Sequence, residues 1–311
     1  MRSKSFVIAI IIILISSPIT LTGVAGGTQQ SRGDMFQDSR FESARTDRLT
    51  GGRIERTTLQ EGQLEIEMTV NVPAFQLTLW QAGKEVKSYP IGVGQKDYPI
   101  YIGEREVTEV IWNPSWIPPD SEWVTEMAGI SPGKEIKASD PRNPLGKLKI
   151  PLGGGYLIHQ AKSVNDLGSL VSHGCVRMLR SDLYDLAEKI NAAYSWPVSL
   201  REIERAKRGS RMLAAKLDVT LPVDISYDTE VVEEGVLYLY PDVYKRGTNT
   251  VARLRDELTT HGVDASEVDD RTLERMRARV GRRAIYAVSV DSIKQGRALT
   301  DGRTRPLVAR R

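Results

Sequence analysis

The sequence predicts a mainly β domain with few helices over residues 63–202, followed by a small α+β domain over 221–300. Three observations predict it. Apolar residues alternate with polar ones at Leu64, Ile66, Met68 and Val70, and again at Phe75, Leu77 and Leu79 after Pro73. That two-residue period belongs to strands with one buried face. Helical spacing within 63–202 is clearest at Leu183, Leu186, Ala187 and Ile190. Beyond residue 220, strand-like and helix-like segments mix.

The elements follow in order. Gln81-Ala82-Gly83-Lys84 reads as a turn between two strands, and residues 107–112 and 156–159 read as further strands. The helix after residue 180 takes Ser181 as its cap and Asp182 in its first turn, where a carboxylate meets the free N–H groups. Residues 196–200 return as a strand, and the charged stretch over 203–220 reads as a linker. Strands at 222–227 and 236–240 flank Glu233-Glu234-Gly235 as a hairpin. Helices are expected over 250–260 and 270–280, the second stopped by Gly281, then a strand at 285–290 and a basic tail at 301–311.

Composition narrows the class. The 311 residues are 40% hydrophobic and 27% charged, ordinary for a globular protein, with a net charge of +3. So small a charge gives no case for nucleic acid. The basic excess gathers late, from Arg275 to Arg311, as a solvated helix face and tail, with weak attraction to anionic wall polymers as the alternative. No repeat, heptad, P-loop or GxGxxG occurs. Arg2 and Lys4, an apolar run over 6–15, Pro18 and small residues at Gly23, Ala25, Gly26 and Gly27 form the pattern of an export signal over 1–25. The expected location is the periplasm or cell envelope, with an uncleaved signal anchor as the alternative. Residues 26–62, rich in Gly, Ser, Thr, Gln and Arg, read as a linker.

One cysteine in an exported chain cannot close an intramolecular disulfide. It is either a reactive thiol or a small buried hydrophobe. Cys175 ends the run Ser172-His173-Gly174-Cys175, and His159 ends the apolar segment Tyr156-Leu157-Ile158 after three glycines. A thiol nucleophile needs a base, a group to orient that base, and N–H donors facing the oxyanion. Gly174 leaves the backbone beside the thiol open to a substrate. Cys175 is placed at the entrance to a helix, where backbone amides favour thiolate.

The spacing of His159 from Ser172-His173-Gly174-Cys175-Val176-Arg177 resembles the signature of L,D-transpeptidases with a YkuD-type catalytic domain. Val72-Pro73-Ala74-Phe75, Tyr89-Pro90-Ile91-Gly92-Val93-Gly94 and Ile111-Trp112-Asn113-Pro114-Ser115-Trp116 are similar to other segments of that family. Gly235-Val236-Leu237-Tyr238 with Asp242-Val243-Tyr244 looks like the C-terminal domain of one branch. The resemblance implies a mixed β-sandwich catalytic domain that needs no cofactor and acts on peptidoglycan stem peptides. It implies Cys175 as nucleophile, His159 as general base, the Gln160 carbonyl as its orienter, and main-chain N–H groups of His173, Gly174 and Cys175 as the oxyanion hole. Acyl acceptors would be a stem-peptide amine, a lipoprotein lysine, a D-amino acid or water, and carbapenem-type β-lactams would mimic the donor.

Several residues carry two readings. Arg177 is either a fork for a substrate carboxylate or a structural ion pair, and His173 either shapes the oxyanion loop or exchanges protons. Ser172, Tyr156, Trp112 and Trp116 are candidates for the substrate wall, with packing as the alternative for the aromatics. His261, at a helix end, is given no chemistry. Three departures from the family pattern stand out: Gln160-Ala161 follows the first histidine instead of Gly-Thr, Arg177 stands where many members have Asn, and the Thr-Pro-x-Gly turn is replaced by Asp97-Tyr98-Pro99. Two rival functions remain at this point. One is a zinc hydrolase using His159, His173 and Cys175, and the other is a non-catalytic wall-binding protein.

Overall fold

A computed structural model describes residues 66–194 and 198–308. The signal and first linker, Leu64, Trp196 and residues 309–311 lie outside them. Among the described residues no helix is long and apolar enough to cross a membrane.

The chain opens as a meander of β1 (Ile66–Asn71), β2 (Gln76–Gln81) and β3 (Lys84–Pro90). The β2–β3 turn places Ala82 and Gly83 at φ +49° and +73°, the twist a two-residue hairpin requires. Then come β4 (Val93–Gly94), β5 (Gly103–Trp112), the short α1 (Glu122–Thr125), β6 (Leu148–Pro151), β7 (Leu157–Gln160), β8 (Leu170–Ser172) and β9 (Val176–Met178). Two helices, α2 (Arg180–Ala193) and α3 (Leu200–Arg208), precede the long strand β10 (Leu213–Ser226).

Eight strands form one mixed sheet in the order β3-β2-β1-β10-β5-β6-β7-β9, and β4 pairs with β8 in a parallel two-stranded ribbon. The big sheet curls on itself. Gly92, just past β3, exchanges both main-chain hydrogen bonds with Arg177 of β9, at 2.9 and 2.8 Å. The two ends of the strand order therefore meet. Helix α2 spans the same gap: it follows β9, and its Asp185 accepts hydrogen bonds from Tyr89 and Lys87 of β3. Its buried Leu183, Leu186, Ala187 and Ile190 complete the core with Met68, Leu77, Val107, Ile150, Ile158 and Val176.

The second layer of the chain is a four-stranded sheet, β11 (Glu230–Glu233), β12 (Val236–Leu239), β13 (Ala284–Ser289) and β14 (Arg303–Pro306), in that order. It carries α4 (Val251–Thr260), α5 (Asp270–Arg277), α6 (Val290–Lys294) and α7 (Ala298–Asp301) around a separate apolar cluster that includes Leu237, Leu254, Leu273 and Tyr286.

Several expectations are corrected. Residues 213–226 are neither linker nor hairpin arm. They form β10, inserted between β1 and β5, because the sheet core demands an inner strand there and Leu221, Val223 and Ile225 are buried. The hairpin arm before Glu234-Gly235 is instead β11. Residues 200–208 are helix, opened by a capping box in which Ser199 and Glu202 satisfy each other's backbone N–H. Helix α2 starts one residue before Ser181, from an N-cap at Leu179 that makes no side-chain bond. The basic tail is ordered as β14, and Leu307 and Val308 pack on the main core.

Candidate active site

The site grows from the parallel pairing of β7 and β9, registered as Ile158 to Val176, His159 to Arg177 and Gln160 to Met178. Side chains alternate along strands. Ile158 and Val176 point into the core, so His159 and Arg177 share the opposite face, and Cys175 stands immediately before β9, two residues from Arg177. Cys175 thus leads into a strand, not a helix as expected from the sequence.

Burial sets the electrostatics. It pushes the Cys175 thiol up, against the opposing pull of the Leu157 main-chain N–H and the Arg177 charge. It pushes His159 down to about 3, and Arg177 adds to that shift. The main-chain carbonyls of Pro144 and Gln160 pull the other way, yet Nδ1 of His159 is buried and makes no hydrogen bond among the described residues. These two observations agree once the carbonyls are taken as nearby dipoles with poor hydrogen-bond geometry. Both shifts favour the uncharged forms, thiol and imidazole.

Ser172, His173, Gly174 and Cys175 form the turn between β8 and β9. The Ser172 hydroxyl donates to the Cys175 carbonyl at 2.6 Å, so this buried serine pins the turn and offers nothing to a substrate. Gly174 has φ +106°, and a methyl there would lie 2.7 Å from the Tyr156 ring. Both facts demand glycine. Among the described residues, no group accepts a hydrogen bond from the N–H of His173, Gly174 or Cys175.

The His173 ring is held between two aromatics. Trp123 stacks on it at 4.1 Å with planes 4° apart, and Tyr98 meets it edge-on at 4.7 Å. Burial, then Arg177 and Lys162, lower its pKa. Trp123 lies on α1, within the excursion between β5 and β6. That excursion has its own apolar cluster of Trp116, Val124, Ile130, Ile136 and Leu145 and is closed by paired main-chain bonds between Trp116 and Ile136, both 2.8 Å.

The structure sorts the remaining candidates. Tyr156 is half-buried, with its ring beside Gly174. Trp116 packs behind Trp123, at 6.3 Å, and supports it. Trp112 is withdrawn: it is fully buried, packed on Tyr184 of α2. Arg177 is buried, 3.9 Å from Asp166, with its Nε making no hydrogen bond among the described residues. Its charge acts on Cys175, His159 and His173 together. The Gln160 side chain accepts from the Lys147 N–H. His261 caps α4 beside Glu257, away from the site. Among the described residues, no group of three or more His, Cys, Asp or Glu is placed to hold a metal ion.

Trp123, Tyr98 and Tyr244 were not singled out as site residues by sequence reasoning. For Trp123 the usable signal was a large aromatic in a polar loop after Pro118-Pro119, a place where loops carry function.

A curled, mainly β domain with a lone cysteine beside a glycine turn and a facing histidine defines a class of thiol-bearing enzyme domains. Residues 66–225 match the family model of the YkuD L,D-transpeptidase catalytic domain, and the chain belongs to that family. It is 34% identical over 135 residues to the probable L,D-transpeptidase YbiS of Escherichia coli K12, covering 43% of this chain and 42% of that one. It is 30% identical over 138 residues to the probable L,D-transpeptidase ErfK/SrfK of Salmonella typhimurium LT2, again 43% and 42%. The matched region thus spans under half the length of these relatives. Among solved structures, L,D-transpeptidase 3 of Mycobacterium tuberculosis is 16% identical, with a TM-score of 0.34 over 52% of this chain and 61% of that one. That likeness is too low to argue from.

Proposed function

We propose that this protein is an exported L,D-transpeptidase that cross-links peptidoglycan through an acyl-enzyme on Cys175. The observation that carries the reading is the pairing of β7 with β9, which sets His159 beside the strand that Cys175 leads into, with three N–H groups unengaged among the described residues in the turn that holds the thiol.

In this reaction Sγ attacks the carbonyl carbon of the third residue of a donor stem peptide, and the thiol proton passes to His159. The negative charge developing on the carbonyl oxygen is met by the N–H groups of His173, Gly174 and Cys175. His159 returns its proton to the departing D-alanine nitrogen as the C–N bond breaks, leaving a thioester. An acceptor amine then attacks the thioester, His159 takes the amine proton, and Sγ leaves and is reprotonated. The acceptor is another stem peptide, a lipoprotein lysine or a D-amino acid. Because burial and Arg177 disfavour imidazolium, the proton moves with S–C bond formation instead of before it. The buried Arg177 charge favours the anionic thiolate and oxyanion. A β-lactam of the carbapenem type would acylate the same sulfur.

The test is intact-mass analysis of the purified protein with a defined donor tetrapeptide, with and without each acceptor. A mass increase on the wild type, release of D-alanine and no adduct on Cys175→Ala are expected. An adduct that survives Cys175→Ala would remove the nucleophile.

A further inference from the structure

Tyr244, from the C-terminal part of the chain, reaches the loop that lies against the turn over 172–175. The Tyr244 hydroxyl donates to the Gly94 carbonyl at 3.0 Å and accepts from the Ile100 N–H at 3.3 Å. These two main-chain groups flank the loop Gln95-Lys96-Asp97-Tyr98-Pro99, so a single hydroxyl closes the loop's neck. Burial pushes that phenol up to about 12, which keeps the proton needed to donate and accept at once.

The closed loop bears directly on the nucleophile's turn. Its Gln95 N–H donates to the Ser172 carbonyl at 2.8 Å, and its Tyr98 ring meets His173 edge-on. Gly94 is so close to the turn that a methyl on it would sit 2.9 Å from the Gly174 Cα. This is also the stretch where the sequence departs from the family's usual turn.

Tyr244 is itself held from behind. Its N–H donates to the Tyr227 hydroxyl at 2.7 Å, and that hydroxyl donates to Asp242 at 2.6 Å. Asp242 also accepts from the Arg246 and Gly247 N–H groups, at 2.9 and 2.7 Å. The Tyr227 and Tyr244 rings stack at 5.5 Å, and the Arg246 guanidinium lies over both. The path from Asp242 to Gly94 is continuous: two hydrogen bonds lead to the Tyr244 main chain, and the Tyr244 side chain carries it on to the Gly94 carbonyl.

We infer that Tyr244 is a positioning residue, through which the C-terminal module holds the Gln95–Pro99 loop against His173 and Gly174 in the geometry acylation needs. The inference rests on the function proposed above. Tyr244→Phe keeps the ring stack and removes both loop bonds. It is expected to slow Cys175 acylation by a donor peptide roughly 10–100-fold, the scale of small misplacements in catalytic geometry. Alkylation of the thiol by iodoacetamide as a function of pH should be unchanged, and amide hydrogen exchange at Ile100 should accelerate. Tyr286→Phe is the control. Its hydroxyl bonds the Ala298 carbonyl inside the C-terminal core, so it weakens the module without touching the loop and should leave acylation intact.

A double-mutant cycle with Tyr98→Ala separates positioning from simple destabilisation, because the two losses should be strongly sub-additive. Wild-type acylation by Tyr244→Phe, or additive losses in the cycle, would overturn the inference. Equal slowing by Tyr286→Phe would do so too. A wild-type protein never acylated at Cys175 would bring down the functional reading, and this inference with it.

Discussion

Trp123 lies flat on His173, ring centroids 4.1 Å apart and planes 4° apart, although 50 residues separate them in sequence. The stack ties the β5–β6 excursion to the turn that holds Cys175. It also means that the imidazole plane is set from outside the turn, by an element with a small core of its own.

Removing that face should expose His173. In Trp123→Ala the His173 pKa is expected to rise toward 6.5, because burial is the largest cause of its depression. With three histidines in the chain, proton NMR titration can follow each ring separately. Acylation should fall about tenfold, with Trp123→Phe retaining most of it through the remaining stack. An unmoved His173 titration would disprove the stack's role.

His159 is held neutral by burial and Arg177, so protonating it should not limit the rate near neutral pH. The acylation rate of the wild type should show no acid limb near pH 6.5 and lose activity only as pH approaches about 3. His159→Ala should lose roughly 10²–10⁴ in rate, the scale of a general base, and regain part of it at alkaline pH as solvent ionises the thiol. Burial raises the Cys175 pKa, so the rescue should begin above the free-cysteine range of about 8.5. Measuring acylation against pH for both proteins decides it. Alkaline rescue of His173→Ala, with His159→Ala inert throughout, would reverse the assignment of the base.

Gly174→Ala adds a methyl 2.7 Å from the Tyr156 ring at a φ of +106°. The turn must shift, and its N–H groups with it. Acylation should drop roughly 10²–10³-fold, the loss typical of a missing oxyanion donor, while iodoacetamide still reaches the thiol. Stopped-flow acylation beside thiol alkylation checks both halves. Equal loss of both would point to unfolding instead.

In the C-terminal module, burial raises Glu230 to about 7 from 4.5. The folded state therefore holds this proton more tightly than the unfolded state does. The resulting stability is fully present below pH 4.5 and is lost as pH rises through about 7. At about pH 8, Glu230→Gln should raise stability by an amount on the order of 1–3 kcal/mol, with the advantage shrinking toward pH 4.5. Arg253, 3.6 Å away and 29% exposed, can turn to water when the charge goes. Thermal melts of both proteins across pH are the measurement, and a gap independent of pH would contradict the assignment.

The legibility of the chain was uneven, for physical reasons. Strands β1, β2, β5 and β7 were readable because each alternates cleanly or runs apolar between turn residues. Strand β10 was not, since its first half, mostly exposed, follows directly on the charged run over 201–211, and Pro222 interrupts the apolar alternation of its buried second half. The entrance to α2 was misplaced by two residues because Ser181 looks like a cap, whereas Leu179 holds that position. Arg177 could be recognised but not interpreted. Two strand partners and Asp166 decide that it is buried.

By itself the sequence determined the family, through a lone cysteine in Ser172-His173-Gly174-Cys175 and a histidine ending an apolar strand, and it supplied the residues on which the proposed chemistry rests. Such information is local, carried by neighbours along the chain and by the repeat period of buried positions. The tertiary structure alone decided that the sheet closes through Gly92 and Arg177, that Trp112 is core while Trp123 faces His173, and that Tyr244 reaches back to Gly94. Each of these joins residues far apart in sequence, and their partners are set by how the sheet curls and the layers pack, which no local pattern encodes.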